Sequence, residues 1–463
     1  WWCEWRFTIL QNSEFPLRLE ISGLLKLAVP IILTQFIQVS NTTVAILMMG
    51  RVGALELAAL GLGGSFMIFM FLACLGIMMS LSPTIAQHFG AGRDQGIKDT
   101  FQQGIWLAFV TGVVAFFVLR QMGHLMLLVG VDPAVMPLVE DYLRFAAWSM
   151  PAVCLYMGLR FLCEATGHSK PMLIINIATL PIVLLGNWTF IFGHFGIPAM
   201  GVEGAALNLI VVMSLNALGM LIFVICAKRY RVRQLWRSFS LPGRGLIDLL
   251  KLGLPIAGTL VLDTSFFTAI ALMMGKMGHI WLAAHQVAIN YATIAFMIPV
   301  SLSSATLARV GQAIGQDNPL LARARGYLGI SCAVALIIPS MLIIFLIPEW
   351  VAGLYTGEAD VIRAAVPLLV AAAFLQIFDA TYITAQGALR GLKDVNGPLL
   401  ISFSFWIVGL PAAWMLGMTW GFGAVGLWWG MIMGVAATAI LLMWRFRWRA
   451  AKSITEMVSD RSM

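Results

Sequence analysis

Two stretches decide how this chain is read: GLLKLAVPIILTQFIQVSNTTVAILMMG at 23–50 and DLLKLGLPIAGTLVLDTSFFTAIALMMG at 248–275. They align without gaps at an offset of 225 residues, and 13 of 28 positions are identical. Lys26 falls on Lys251, Pro30 on Pro255, Thr34 on Thr259, and both stretches end in LMMG. The match continues beyond them. Ala58 and Ala59 fall on Ala283 and Ala284, and Gln87 and Gly90 on Gln312 and Gly315. Apolar sequence gives chance identities at Leu and Ala far more readily than at Lys, Pro and Gly in register. The chain is therefore read as an internal duplication.

Each repeat opens on an apolar run long enough to cross a bilayer, about 20 residues. Such runs recur along the whole chain, which is 60% hydrophobic and only 11% charged. Soluble proteins of this length carry far more charge. Twelve spans are expected, near 24–46, 57–82, 102–119, 142–163, 172–193, 203–227, 250–274, 282–308, 327–347, 364–386, 397–417 and 424–444. The fold class is an all-α membrane protein of twelve transmembrane helices in two six-helix bundles. Six spans per half is an even number, so both halves enter the membrane in the same direction. Parallel repeats of this kind enclose a site near the midplane and give alternating access by rocking.

The 29 Lys and Arg set the orientation. With the N-terminus cytoplasmic, only Arg51, Arg120, Arg144, Lys276 and Arg363 lie toward the far side, leaving 24 on or near the cytoplasmic side. This is a strong positive-inside pattern. It accounts for the net charge of +8 without nucleic acid. The expected organisation is an N-terminal interfacial segment (1–23), a first lobe (24–227), a basic cytoplasmic linker (228–248) that reads as a hinge, a second lobe (249–446) and a cytoplasmic tail (447–463). Residues 1–20 have no clean apolar core or small-residue cleavage site, so they do not read as a signal peptide. The six cysteines form no CxxC pair, and small-residue packing is their default reading.

An ionisable side chain inside a bilayer is costly and marks function by default. Most of the 21 acids lie in loops or near span ends. Asp263 in span 7 and Asp379 in span 10 lie well within theirs, with no Lys or Arg equally deep in the sequence. Such a pair can trade one small cation for another, and an arginine clamped on either carboxylate would remove that reason. Both are candidate coupling residues and candidate Na⁺ ligands. Gln376, Asp379, Tyr382 and Gln386 share one helical face. Gln286, Asn290 and Thr293 make a second polar stripe, in span 8. Oxygen donors of this sort suit a hard cation. Interhelical hydrogen bonding is the alternative for each amide taken singly.

The first half differs. Position 263 corresponds to Gln38, and Gln35, Gln38, Asn41 and Thr42 form an uncharged stripe that suits substrate contact. Phe267, one turn beyond Asp263, offers an aromatic face to an organic cation. Candidate cavity residues are thus Gln38, Asn41, Thr42, Phe267, Gln286, Asn290, Gln376 and Tyr382. Glu164, near Arg160 and Lys170 at the cytoplasmic end of span 4, reads either as a gating ion pair or as a solvated loop acid. The 27 Met and 28 Phe would let a cavity re-pack around varied ligands.

Other function classes find no support. GxxxxGK[ST] does not occur, and the six histidines show no metal-ligand spacing. No cofactor is expected beyond the coupling ion. Gly426, Gly430 and Gly434 form GxxxGxxxG, a close-packing face. A lipid-linked precursor flippase would want Lys or Arg deep in the cavity. A membrane-embedded enzyme would want clustered His or paired acids near one interface.

With these residues in view, LGLPIAGTLVLDTSFF (252–267), LAAHQVAIN (282–290), RVGQAIGQ (309–316) and FDATYITAQGALRGLKD (378–394) resemble the second half of NorM-like MATE transporters. SPTIAQHFGAG (82–92) and EATGHSKPMLIIN (164–176) resemble the first half. The resemblance spans roughly residues 20–448. It implies two six-helix bundles in a V, and export of organic cationic drugs in exchange for Na⁺ or H⁺. It also implies a bacterial inner membrane, with both termini cytoplasmic. The expected partners are small-molecule cations and membrane lipid, with no nucleic acid and no obligate protein partner, as a monomer. By local match, the family's coupling acids of helices 7 and 10 fall on Asp263 and Asp379. The former is usually Glu. Many bacterial members carry an Asp in helix 1 in a pattern like VDTIMAG. Here VAILMMG places Ala45 at that position, which leaves coupling to the second half.

Overall fold

The computed structural model describes residues 16–125, 134–237 and 239–462. Among them twelve helices are long and apolar enough to cross a membrane. In chain order they are α1 Leu17–Met49, α2 Ala54–Gly90, α3 Asp94–Met122, α4 Met136–Ala165, α5 Lys170–Phe192 and α6 Gly201–Cys226. The second six are α7 Arg244–Gly275, α8 His279–Gly315, α9 Pro319–Leu346, α10 Ala359–Gly391, α11 Asn396–Thr419 and α12 Gly423–Thr455. Each expected span coincides with one of them, but most helices run longer. An apolar run marks the hydrocarbon-spanning part of a helix, and hydrogen bonding carries the helix on into polar sequence. Residues 1–15 lie outside the described part of the chain.

Local chemistry sets the helix ends. α9 begins at Asn318-Pro319, where the Asn318 side chain accepts from Leu321 N at 3.0 Å and Pro319 needs no N–H partner. α5 ends on Gly193 at φ 77°, with the Ala199 backbone N only 2.4 Å from where a Cβ would stand. α4 tightens into a 3₁₀ turn at Ala147–Ser149, just before Pro151. α11 widens into π turns at Phe405–Gly409 and Met415–Thr419, flanking Pro411.

The chain divides into two compact units. One runs from Leu33 to Gly258, and the other joins the residues up to Ile32 with Thr259–Met463. Neither border lies in a loop. Both cut the repeat helices, α1 after Ile32 and α7 after Gly258, at positions the 225-residue offset matches to within one residue. The start of α1 thus belongs with the second-half unit, and the start of α7 with the first-half unit.

In the second-half unit, α8, α9, α10 and α12 enclose an apolar core that includes Ile330, Leu368, Leu369, Trp428 and Phe446. α11 packs on α12 through the expected glycine face. A Cβ at Gly430 would lie 2.1 Å from Ala413 N, and one at Gly434 would lie 2.6 Å from Gly409 Cα. Glu20, at the start of α1, is bound by Arg325 at 3.0 Å through both Nε and Nη2, and also by Arg309.

In the first-half unit, the basic segment after α6 is bonded to α3. The buried Gln102 of α3 donates to Leu235 O at 2.9 Å and accepts from Ser240 N at 3.0 Å. Gln103 donates to Leu241 O and accepts from Gly243 N, each at 3.0 Å. Trp106 Nε1 donates to Ser240 O, and Phe101 meets Trp236 edge-on. Two amides and an indole that must be satisfied inside the protein thereby fix the segment to α3.

Candidate functional site

The two acids singled out in the sequence meet in the second-half unit. Asp263 (α7) is 5% exposed and Asp379 (α10) is 6% exposed, and their charges interact. On α10 the buried face continues through Gln376, Tyr382, Gln386 and Arg390, at spacings that return to one side of the helix. Ser303 of α8 donates to Ile383 O at 2.7 Å, which fixes α10 against α8 at this level.

Aromatic rings close around the acids. Tyr382 stacks on Phe296 with centroids 6.3 Å apart and meets Phe405 edge-on at 5.6 Å. Phe405 stacks on Phe266 at 5.1 Å, and Phe266 touches Phe267. Trp406 Nε1 donates to Leu262 O, one residue before Asp263.

Within this enclosure several polar atoms have no hydrogen-bond partner among the described residues. They are Oδ1 of Asp263, Oδ1 of Asp379 and both amide atoms of Gln376. Ser402 Oγ lies within electrostatic reach of Asp263, but in a geometry that falls short of a hydrogen bond. Burying so many unmatched oxygens costs several kcal/mol unless a ligand satisfies them. The unpartnered carboxylate oxygens are hard donors of the kind a monovalent cation or a proton takes. No group of three or more His, Cys, Asp or Glu that would hold a multivalent metal occurs among the described residues.

One sequence expectation needs correcting. A basic side chain does reach this depth: Arg390 is 2% exposed, and it interacts electrostatically with Asp263. An amide links the two. Arg390 Nη2 donates to Gln386 Oε1 at 2.8 Å, and Gln386 Nε2 donates to Asp263 Oδ2 at 3.3 Å. The sequence reading ended span 10 at residue 386 and left Arg390 in a loop, whereas α10 runs to Gly391. The signal was present, since Arg390 extends the Gln376–Gln386 stripe by one turn.

The other candidates separate. Phe267 is half-buried beside Phe266. Gln286, Asn290 and Thr293 form an exposed stripe on α8 rather than part of the buried cluster, and Asn290 Oδ1 accepts from Tyr355 Oη at 3.3 Å. Gln38, Asn41 and Thr42 belong to the first-half unit. Gln38 and Asn41 are half-buried there and Thr42 is exposed, with Thr42 Oγ1 donating to Gln38 O at 3.4 Å.

Glu164 is not a solvated loop acid. It is 1% exposed, and its Oε1 accepts from Arg160 Nε at 2.6 Å. Around this pair, Asn176 donates to Tyr156 Oη at 2.9 Å, and Thr166 and Tyr230 share a 2.7 Å hydroxyl bond. Lys170, the other basic neighbour in sequence, is exposed.

The family model described as MatE matches residues 30–189 and again 255–415. The two matches begin 225 residues apart, which is the offset of the internal repeat. The multidrug resistance protein NorM of Aliivibrio fischeri is 34% identical over 435 residues, covering 93% of this chain and 95% of that protein. The multidrug resistance protein PmpM of Pseudomonas aeruginosa is 34% identical over 447 residues, covering 95% and 94%. Among solved structures, the eukaryotic MATE transporter AtDTX14 superposes with a TM-score of 0.83 at 20% identity, over 95% of this chain and 99% of that one. A MATE structure in the bent conformation gives 0.85 at 18% identity, over 95% and 97%. At those identities the likeness is one of fold. The doubled family match and the full-length relatives settle the assignment: this chain belongs to the MatE family, and it is a multi-pass membrane transporter rather than an enzyme.

Proposed function

We propose that the chain exports organic cationic drugs and toxic compounds in exchange for Na⁺ or H⁺, by alternating access of its two halves. The observation that carries this reading is the pair Asp263 and Asp379, buried together in an aromatic enclosure with a carboxylate oxygen unpartnered on each. A coupling ion that neutralises the pair changes the electrostatic cost of burying it, and that cost can be tied to a conformational step. The relatives' names, multidrug resistance proteins, support the substrate class.

In this reading Asp263 and Asp379 hold the coupling ion. Gln38, Asn41, Thr42, Phe267, Gln286, Asn290, Gln376 and Tyr382 line the substrate path. The buried Arg160–Glu164 pair serves the cytoplasmic gate. The charge distribution supports a bacterial inner-membrane location with both termini cytoplasmic, acting as a monomer among lipids. The test is growth of an efflux-deficient bacterial host on lipophilic cations such as ethidium. Wild type confers resistance, whereas Asp379→Asn inserts at the same level and confers none. Full resistance in that variant would overturn the coupling role.

A further inference from the structure

The arginine behind Asp263 has a consequence for how many ions the site takes. Arg390 offers only N–H donors, so the Gln386 amide must turn its oxygen toward Arg390 and its nitrogen toward Asp263. The distances agree, at 2.8 Å and 3.3 Å. Gln386 is fully buried and has no freedom to flip into water. The guanidinium cannot be deprotonated in a protein, so its charge is permanent. Two carboxylates and one guanidinium then sum to a single negative charge. Net charge in a low-dielectric enclosure is strongly penalised, and one monovalent cation brings the cluster to neutrality. A second cation would leave it positive.

We propose that Arg390, acting through Gln386, is a positioning residue that fixes the site's charge at minus one and so limits it to a single coupling cation. Gln386 also gives the two acids different tasks. Each acid keeps Oδ1 without a described partner, but Asp263 also accepts a bond from the chain at Oδ2, so Asp379 is the less committed of the two and the principal receiver of the ion.

This inference rests on the coupling role proposed for the two acids, and the experiment separates the two. Purified protein in liposomes is loaded with ethidium, and initial efflux is measured against Na⁺ concentration at fixed pH and against proton concentration without Na⁺. Wild type follows first-order dependence on the coupling cation. Arg390→Gln moves toward second order, Arg390→Lys stays first order, and Asp263→Asn/Arg390→Gln returns to first order because its charge is again minus one. A residue that merely supports the fold would change rate but not order. First-order dependence in Arg390→Gln would overturn the inference, as would second-order dependence in Arg390→Lys. If Arg390→Gln does not insert, the double variant decides, and second-order or cation-independent efflux there overturns the proposal. Gln386→Leu gives an independent reading: the half-maximal cation concentration shifts by about tenfold with order retained, and no shift contradicts the relay. Asp379→Asn tests the underlying role by itself. Wild-type cation dependence in that variant removes the coupling reading, whereas loss of efflux there beside first-order Arg390→Gln removes only this inference.

Discussion

Arg160 and Glu164 form a buried ion pair one helical turn apart on α4, with Nε and Oε1 2.6 Å from each other. Both side chains are almost wholly removed from solvent. Removing one partner of such a pair strands the other charge, whereas removing both does not. Glu164→Gln is therefore expected to destabilise the protein by about 3–5 kcal/mol, and Arg160→Met/Glu164→Leu by much less. Thermal unfolding in detergent checks this. Equal losses in the single and double variants would show that the pair is not coupled.

Asp263 and Asp379 are expected to respond differently to amide substitution. Asp263→Asn keeps a hydrogen-bonding group facing Gln386 but leaves Asp379 and Arg390 to sum to zero, so the site holds its cation more weakly and the cation dependence of efflux is altered. The half-maximal concentration of the driving cation should rise by about tenfold. Cation dependence identical to wild type in proteoliposomes would make Asp263 a structural residue.

His168 lies between α4 and α5, outside the membrane spans. Burial, and then the neighbouring Arg229 and Arg233 cations, hold its imidazole below the ordinary histidine value, against the opposing bond to the Thr166 carbonyl. The ring's Nδ1 faces Thr166 O at 2.8 Å, and Arg229 Nη1 donates to Nε2, so the neutral tautomer fits this site. Protonation therefore favours the unfolded chain. The contribution is full above the unfolded value, about 6.5, and is lost as pH falls through the lower folded value. His168→Gln should flatten the acid side of a melting-temperature profile. An unchanged slope would show that His168 is not the group responsible.

Gly430 gives a packing prediction. A Cβ there would meet Ala413 N at 2.1 Å, a backbone atom that cannot step aside. Gly430→Leu should separate α11 from α12 and lower the folded yield in membranes, whereas substitution at Gly61, with open space around its Cβ position, should not. Equal yields for the two variants would show that the contact tolerates side chains.

The span count and the repeat were legible because both depend on local pattern: apolar length, and Lys, Pro and Gly in register. The acids stood out because charge is rare in the spans. Arg390 was missed because span 10 was ended where its apolar run ended, although the helix continues one turn into polar sequence. Glu164 was half-read. Its neighbours in sequence were visible, but its burial comes from packing of α4 against other helices. The pinning of the basic segment by Gln102 and Gln103 joins residues more than 130 positions apart and left no local trace. The division of α1 and α7 between units was equally hidden, because each is a continuous helix in sequence.

The central claim is that the buried acid pair links drug efflux to entry of one small cation. Liposomes carrying the protein and ethidium, with Na⁺ and pH gradients imposed separately, test it most directly. Efflux should follow one of the two gradients in wild type and fall to the level of protein-free liposomes when both acids are changed to amides. Gradient-driven efflux that persists in the Asp263→Asn/Asp379→Asn protein would contradict it.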